Sequence, residues 1–161
     1  MTAPDSPWTP ARLSTLDAVV EHLLPADADA AADPDSGVGG GATEAGVVDS
    51  IVANLETPFF AGQAPFVHAA LDELGERAAA VDPAADGFAA LDPAAREALL
   101  RGLETSDNAY LAHAVVLVLQ LALEGYLGEP ARGGNRGAVG WRRLGLGADG
   151  PRRRLIRDEA V

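Results

Sequence analysis

The sequence predicts an all-α protein, a bundle of about five helices followed by an irregular, glycine-rich C-terminal segment. Apolar residues recur at three- and four-residue spacing up to Leu127, which is typical of helices with one buried face. No run alternates between apolar and polar residues as a half-buried strand does. Seven glycines between residues 133 and 150 then break up any regular element. The 161-residue chain fits one domain that can bury a core without the help of disulfide bonds or metal ions.

The first helix is predicted between Thr9 and Pro25. The threonine hydroxyl can accept a bond from a free backbone N–H, and proline at position 10 is tolerated in the first helical turn. Residues 1–8 are polar and proline-rich, and we predict a flexible N-terminal arm. Residues 26–43 have almost nothing to bury, so they predict a flexible loop.

Four further helices complete a helical domain over residues 9–127. The second covers residues 47–55, and the third runs from Pro65 to about residue 80. The fourth follows the cap-then-proline pair Asp92-Pro93, and the last runs from about residue 107 to 127. The centre of this last helix, residues 115–119, is apolar all round, which predicts a buried central helix.

The C-terminal part is predicted to differ from the helical domain. Residues 128–150 form the glycine-rich segment, which we expect to pack on the bundle or on a partner. Residues 151–161 form an arginine-rich tail. This tail is expected to be solvated or docked on the acidic body, with binding of phosphate or acidic lipid as the less favoured alternative.

Composition excludes several classes of chemistry. The chain has no cysteine, so it has no disulfide, thiolate metal site or cysteine nucleophile. All 12 basic residues are arginine, which excludes a lysine Schiff base and the lysine of a P-loop. Residues 1–131 hold 4 arginines against 21 acidic residues, and aromatic residues make up 5% of the chain. An acidic body with few aromatic residues predicts no nucleic-acid partner.

The N-terminus and the apolar runs bear on localisation. The chain starts without basic residues or an early apolar run, so we expect no signal peptide and a cytoplasmic protein. The longest apolar stretch, residues 109–123, is too short at about 1.5 Å per residue to cross a hydrocarbon core of about 30 Å. The sequence therefore predicts no direct membrane span.

No catalytic, cofactor-binding or metal-ligating residue is predicted. His22, His68 and His113 fall in three different helices, without a ligand partner at metal-binding spacing. Residues 145–150 match the dinucleotide fingerprint literally, but a proline and a charged tail follow instead of a helix. No serine lies in a nucleophile-elbow motif.

One polar stripe on the last helix allows two interpretations. His113, Gln120 and Glu124 lie along one side of an otherwise apolar helix. Glu124 could be a catalytic carboxylate, but general acid–base chemistry usually needs a second group, which the sequence does not supply. We favour a structural anchor that accepts hydrogen bonds from the glycine-rich segment or from a partner chain.

Several short motifs occur in a specific order. The first helix ends in Leu-Pro-Ala-Asp at residues 24–27, and Glu-Ala-Gly-Val at 44–47 opens the second. Phe-Ala-Ala-Leu-Asp at 88–92 precedes the fourth helix. The last helix ends in residues 123–127, and the glycine-rich segment supplies the remaining motif residues. The strongest motif residues are Glu124, Gly125, Tyr126, Gly133, Gly134, Asn135, Arg136, Gly140 and Trp141.

This order resembles the gluconate 2-dehydrogenase subunit 3 family over roughly residues 13–147. The resemblance implies a non-catalytic small subunit of a bacterial FAD-dependent sugar or polyol dehydrogenase. Such a subunit binds and stabilises a large subunit of the glucose-methanol-choline type, which holds the FAD. In some complexes of the family a cytochrome c subunit with haem c is a third component. The chain itself is expected to hold no cofactor.

The motif residues are expected to organise the C-terminal segment and the partner interface. Tryptophan and arginine are enriched at interface hot spots, so replacing Trp141 by alanine should weaken the complex. Two departures from the family pattern are visible. The family often has an aromatic residue where this chain has Arg132. Many members carry a twin-arginine export signal, which is not seen here, so export would depend on a signal carried by a partner.

Three alternative functions remain open at this stage. The chain could be a dedicated chaperone that leaves the mature oxidoreductase. It could be a free-standing enzyme with a site around His113 and Glu124, or a nucleic-acid binder that works through its arginine tail. A stoichiometric partner, turnover by the isolated chain, and salt-sensitive binding would distinguish these cases.

Overall fold

The computed structural model describes residues 6–27, 40–148 and 150. This part contains six α-helices and no strand: α1 Pro10–Leu23, α2 Val47–Leu55, α3 Ala64–Val81, α4 Pro93–Glu104, α5 Ala109–Leu127 and α6 Val139–Arg143. Short 3₁₀ turns occur at Phe88–Ala90, Pro130–Arg132 and Arg136–Ala138. The predicted all-α fold is confirmed.

Side-chain caps define three helix starts. The Thr9 hydroxyl accepts the backbone N–H of Arg12 at 3.2 Å, as the sequence predicts. The carboxylate of Asp92 accepts the N–H of Ala95 at 2.9 Å. Helix α5 is capped by Asn108, so it begins slightly later than predicted. These caps satisfy backbone donors that have no partner within the helix.

Helix α5 is the centre of the bundle and packs against α2, α3 and α4. Its inner face, which includes Leu117 and Leu121, joins one continuous apolar core. Helix α1 packs on α3 beside it, where the guanidinium of Arg12 donates two hydrogen bonds to Asp72 at 2.8 and 2.6 Å. The hydrogen bond from Arg12 lowers the pKa of Asp72.

Two predictions about the C-terminal third need correction. The centre of α5 is not buried all round, because Val116 is 54% exposed and Leu119 is 39% exposed. The segment 128–150 is not wholly irregular either, because it contains α6. Glycines at 133 and 137 and the left-handed Asn135 form turns that lead into this helix and do not prevent it.

Much of the predicted N-terminal arm (residues 1–5), most of the predicted loop 26–43 and the arginine-rich tail 151–161 lie outside the described residues. Trp8, which the sequence assigns to the flexible arm, is only 8% exposed and packs edge-on against His68 at 4.5 Å between ring centroids. The arm prediction is therefore wrong at its last residue. The large apolar ring can be buried on the bundle although its neighbours are polar.

Candidate partner interface

The glycine-rich segment closes over the C-terminal end of α5, and we call residues 128–145 the clasp. Two glycines allow its close approach. A Cβ on Gly134 would overlap the carbonyl oxygen of Gly125, and a Cβ on Gly140 would overlap that of Tyr126. Gly125 itself faces Ser50 of α2. The glycines of the motifs therefore bring three backbone segments into direct contact.

Asn135 is the central polar residue of the clasp. Its side chain is fully buried, and its backbone is left-handed at φ +47°. The amide nitrogen donates to the carbonyl oxygen of Gly128 at 2.8 Å, and the amide oxygen accepts the N–H of Gly140 at 2.8 Å. One side chain thus fixes the start of α6 to the end of α5. Asparagine suits this position because it tolerates the left-handed conformation and carries both a donor and an acceptor.

Arg136 connects the clasp to the start of α2. Its backbone N–H donates to the carbonyl of Ala45 at 3.0 Å, and its guanidinium donates to Asp49 at 2.5 Å. The Arg136 side chain crosses Gly46, where a Cβ would lie 2.5 Å from its Nε. The two motifs 44–47 and 133–136, distant in sequence, are therefore in contact.

The aromatic motif residues are also used within the chain. The phenol of Tyr126 is buried and donates to the carbonyl of Gly40 at 2.6 Å. The indole N–H of Trp141 donates to the carbonyl of Leu127 at 2.7 Å. Gly150 packs on the Trp141 ring, since a Cβ there would lie 2.7 Å from a ring carbon. These contacts hold the end of α5 against both the preceding loop and α6.

Arg143, which the motif analysis did not single out, extends the clasp to the end of α1. Its guanidinium donates to the carbonyl of Pro25 at 2.7 Å and to the carboxylate of Asp27 at 2.6 Å. A hydrogen bond with Tyr126 raises the pKa of Arg143. Through Arg143 at Pro25 and Arg136 at Ala45, the clasp contacts the chain on both sides of the loop 26–43.

The prediction that Glu124 accepts hydrogen bonds from the glycine-rich segment is wrong, whereas its acceptance of such bonds from a partner chain stays a prediction. Its carboxylate is exposed and accepts a hydrogen bond from Gln120 of the same helix at 3.2 Å. The bonds expected for it are made by Asn135, whose neutral amide can be buried without the cost of a carboxylate. His113 is likewise exposed and bonds to Gln63 at 3.0 Å. The polar stripe thus faces solvent.

The motif residues divide by exposure. Gly125, Tyr126, Gly134, Asn135 and Gly140 are buried within the chain. Gly133 and Arg136 are exposed with Glu124, and Trp141 is half-buried. The clasp is therefore held mainly by contacts within the chain, and Gly133, Arg136 and Trp141 form part of its outer surface.

The surface that the motif analysis missed is an apolar stripe on α5. Val116, Leu119, Leu123 and Leu127 are 54%, 39%, 41% and 38% exposed. Their spacing of three, four and four residues places them on one helix face that spans about 16 Å. The sequence signal was present, but a helix that is apolar all round was interpreted as buried all round. We call these four residues the α5 stripe.

The α5 stripe ends in a groove beside the clasp. This groove has a volume of 590 Å³ and lies between α2, the end of α5 and the clasp. Leu123 and Leu127 line one wall, Asn54 lies on the opposite side, and Arg132 and Gly134 come from the clasp. An exposed apolar strip with polar neighbours is typical of a protein–protein contact surface.

By length and composition α5 is also able to cross a membrane. It has 19 residues, because the helix continues beyond residue 123, where the sequence analysis ended the apolar stretch. The core helix of a helical bundle has the same length and composition. The inner face of α5 packs against three other helices.

The described residues contain no group of three or more histidine, cysteine or acidic side chains that could hold a metal ion. His22 bonds to Glu97 at 2.7 Å, while His68 packs on Trp8 and His113 lies on the far surface of α5. The three histidines are thus not brought together.

The family model of gluconate 2-dehydrogenase subunit 3 matches residues 10–148 of the chain. The chain belongs to the gluconate 2-dehydrogenase subunit 3 family. Membership makes it an accessory subunit of a dehydrogenase complex that associates with other subunits. Comparisons with curated proteins and with solved structures give no match.

Proposed function

We propose that this chain is the non-catalytic small subunit of an FAD-dependent sugar or polyol dehydrogenase. It binds and stabilises a flavoprotein large subunit of the glucose-methanol-choline type. The FAD belongs to that subunit, and a cytochrome c subunit with haem c is a third component in complexes that have one. Family membership carries the proposal, and the exposed α5 stripe supplies a surface for the partner.

The proposed contact surface consists of the α5 stripe, the groove beside it and the outer surface of the clasp. The stripe offers four aliphatic side chains that are 38–54% exposed, so burying one of them contributes roughly half of the about 1.5–3 kcal/mol that a fully exposed side chain would contribute. Arg136 and Trp141 extend this surface with residue types that are enriched at hot spots. The clasp keeps the end of α5 in place, so the stripe is presented on a rigid helix.

Expression of the large subunit with and without this chain tests the proposal. We expect co-expression to increase the soluble, flavin-loaded large subunit, and the two chains to purify in equal amounts. A large subunit that is equally soluble, flavin-loaded and active without this chain would overturn the proposal. A chaperone would raise the yield but be missing from the purified active complex.

We also propose that the complex is cytoplasmic, with export by a signal on a partner as the alternative. Fractionation of native cells tests this by locating the flavin-containing complex. A periplasmic complex would support export by the partner.

A further inference from the structure

An apolar cavity of 170 Å³ lies between α1, α3, α4 and α5. All but three of the residues that line it are apolar, and they include Val67, Ala70, Ala114 and Val118 from the core. The cavity is open to solvent at one end, but its inner wall offers almost none of the two to four polar partners that a bound water needs. It is therefore a space for an apolar group.

The cavity reaches the surface between α4 and α5. The three polar residues in its lining are Glu97, Arg101 and Glu104, all on α4. The Glu97 and Arg101 side chains are 43% and 73% exposed and form an ion pair at 2.6 Å. On the opposite side the exposed Leu119 belongs both to the cavity wall and to the α5 stripe. The mouth is thus continuous with the proposed partner surface and has a charged rim.

The size of the cavity matches one six-membered aromatic ring. An apolar cavity of about 150 Å³ in another protein stays dry and binds benzene. The guanidinium of Arg101 at the rim adds a cation that can lie over a ring face. A buried apolar pocket surrounded by a polar rim is the arrangement in which interface hot spots occur.

The ring has to come from another chain. All eight aromatic residues of this chain lie within the described part, and none of them lines the cavity. The sequences of residues 1–5, 28–39, 149 and 151–161 contain no phenylalanine, tyrosine or tryptophan. Because the chain is an accessory subunit, a partner chain is available to supply the ring.

We propose that this cavity receives one aromatic side chain of the flavoprotein large subunit and is the anchor pocket of the complex. The inference rests on the proposed function. It adds a specific pocket, lined by core residues of four helices, to the surface contact along α5.

Benzene is a direct probe of the cavity. Added to the purified full chain at about four times its Kd, it should raise Tm by about 2–4 °C. It should not bind the assembled complex, in which the partner's ring occupies the cavity. Benzene that does not bind the free chain, or binds the complex equally well, would overturn the proposal.

A filled cavity gives the second test. Ala70→Leu adds three carbons inside the cavity, whereas Ala69→Leu adds the same side chain to the exposed face of α3. Ala70→Leu should abolish benzene binding, retain the helical circular dichroism of the chain, and weaken binding to the large subunit at least tenfold. Ala69→Leu should leave benzene binding, helical circular dichroism and affinity for the large subunit unchanged. If Ala70→Leu prevents folding, Val115→Ile provides a smaller addition to the same cavity from a half-buried position in its lining.

The outcomes separate this inference from the function on which it rests. Wild-type affinity for the large subunit in a folded variant that no longer binds benzene would refute the anchor pocket and leave the accessory function intact. A wild-type chain that does not bind the large subunit at all would refute both.

Discussion

Replacement of Asn135 by alanine is predicted to release the clasp and to lower the stability of the whole chain. The change removes both hydrogen bonds of the amide and leaves the N–H of Gly140 buried without a partner. An unsatisfied buried group costs about 1–3 kcal/mol, and the bond to the half-buried Gly128 contributes about 1 kcal/mol. Alanine at a left-handed position adds about 1 kcal/mol. The expected loss is about 3–5 kcal/mol.

Urea unfolding of the full chain measures this loss. Trp8 and Trp141 are the two tryptophans, so Trp8→Phe leaves Trp141, which lies in the clasp, as the single fluorescence reporter. In that background the midpoint should fall with an unchanged m-value. Asn135→Gly separates the two causes, because glycine adopts positive φ freely and loses the same two bonds.

Asn54→Ala is the matched control. This half-buried residue of α2 lies outside the clasp, and its replacement should change stability by less than about 0.5 kcal/mol. An Asn135→Ala variant whose free energy of unfolding falls by no more than that of this control would refute the reasoning. The two hydrogen bonds would then not hold the clasp closed.

Three other predictions concern packing, pH and assembly. Gly140→Ala should destabilise the folded chain by about 1–3 kcal/mol, because the added Cβ meets the backbone carbonyl of Tyr126. Gly75→Ala, which adds its Cβ in open space on α3, should stabilise the chain by up to about 1 kcal/mol. Thermal unfolding of both variants measures the difference. Burial, and after it the charge of Arg12, lower the pKa of His68 from 6.5 in the folded chain. Below pH 6.5 the unfolded chain therefore binds a proton more readily than the folded chain, and acid favours unfolding. Tm should fall between about pH 7.5 and 5.5, and it should fall by less in His68→Gln. Trp141→Ala should weaken the complex, because its half-buried ring lies on the proposed contact surface and its indole N–H also bonds to the end of α5. A pull-down that finds unchanged binding would contradict this, and unfolding of the same sample shows whether the clasp is destabilised as well.

The helices were predictable because their signals are local. Caps at Thr9 and Asp92 and prolines at the first turns mark helix starts whatever the rest of the chain does. The periodicity of α2 and α3 likewise identifies which residues enter the core. These features depend on neighbours within about four positions in sequence.

The clasp was only partly predictable because its contacts join residues far apart in sequence. Motif order identified Asn135, but its partners Gly128 and Gly140 depend on a left-handed turn that spacing does not specify. Glu124 was preferred as the anchor because its charge suggests strong hydrogen bonds. The structure favours the neutral amide, since burying a carboxylate costs more than burying an amide with two partners.

The α5 stripe was missed for a different reason. Composition alone cannot tell whether an apolar helix is covered on every side or lacks a neighbour on one. Val116 and Leu123 have the same apolar character as the buried Leu117 and Leu121, and only the placement of the other helices distinguishes them. In a subunit, the missing neighbour is expected to be another chain.

Binding of the large subunit to a stripe variant tests the central claim most directly. Val116→Gln combined with Leu123→Gln removes apolar surface from α5 without touching the cavity, and Val81→Gln is the control because it is 55% exposed on α3. The account predicts that the double variant folds normally and binds the large subunit at least tenfold more weakly, while the control binds as wild type. Unchanged affinity of the double variant would contradict the claim that this chain docks through α5.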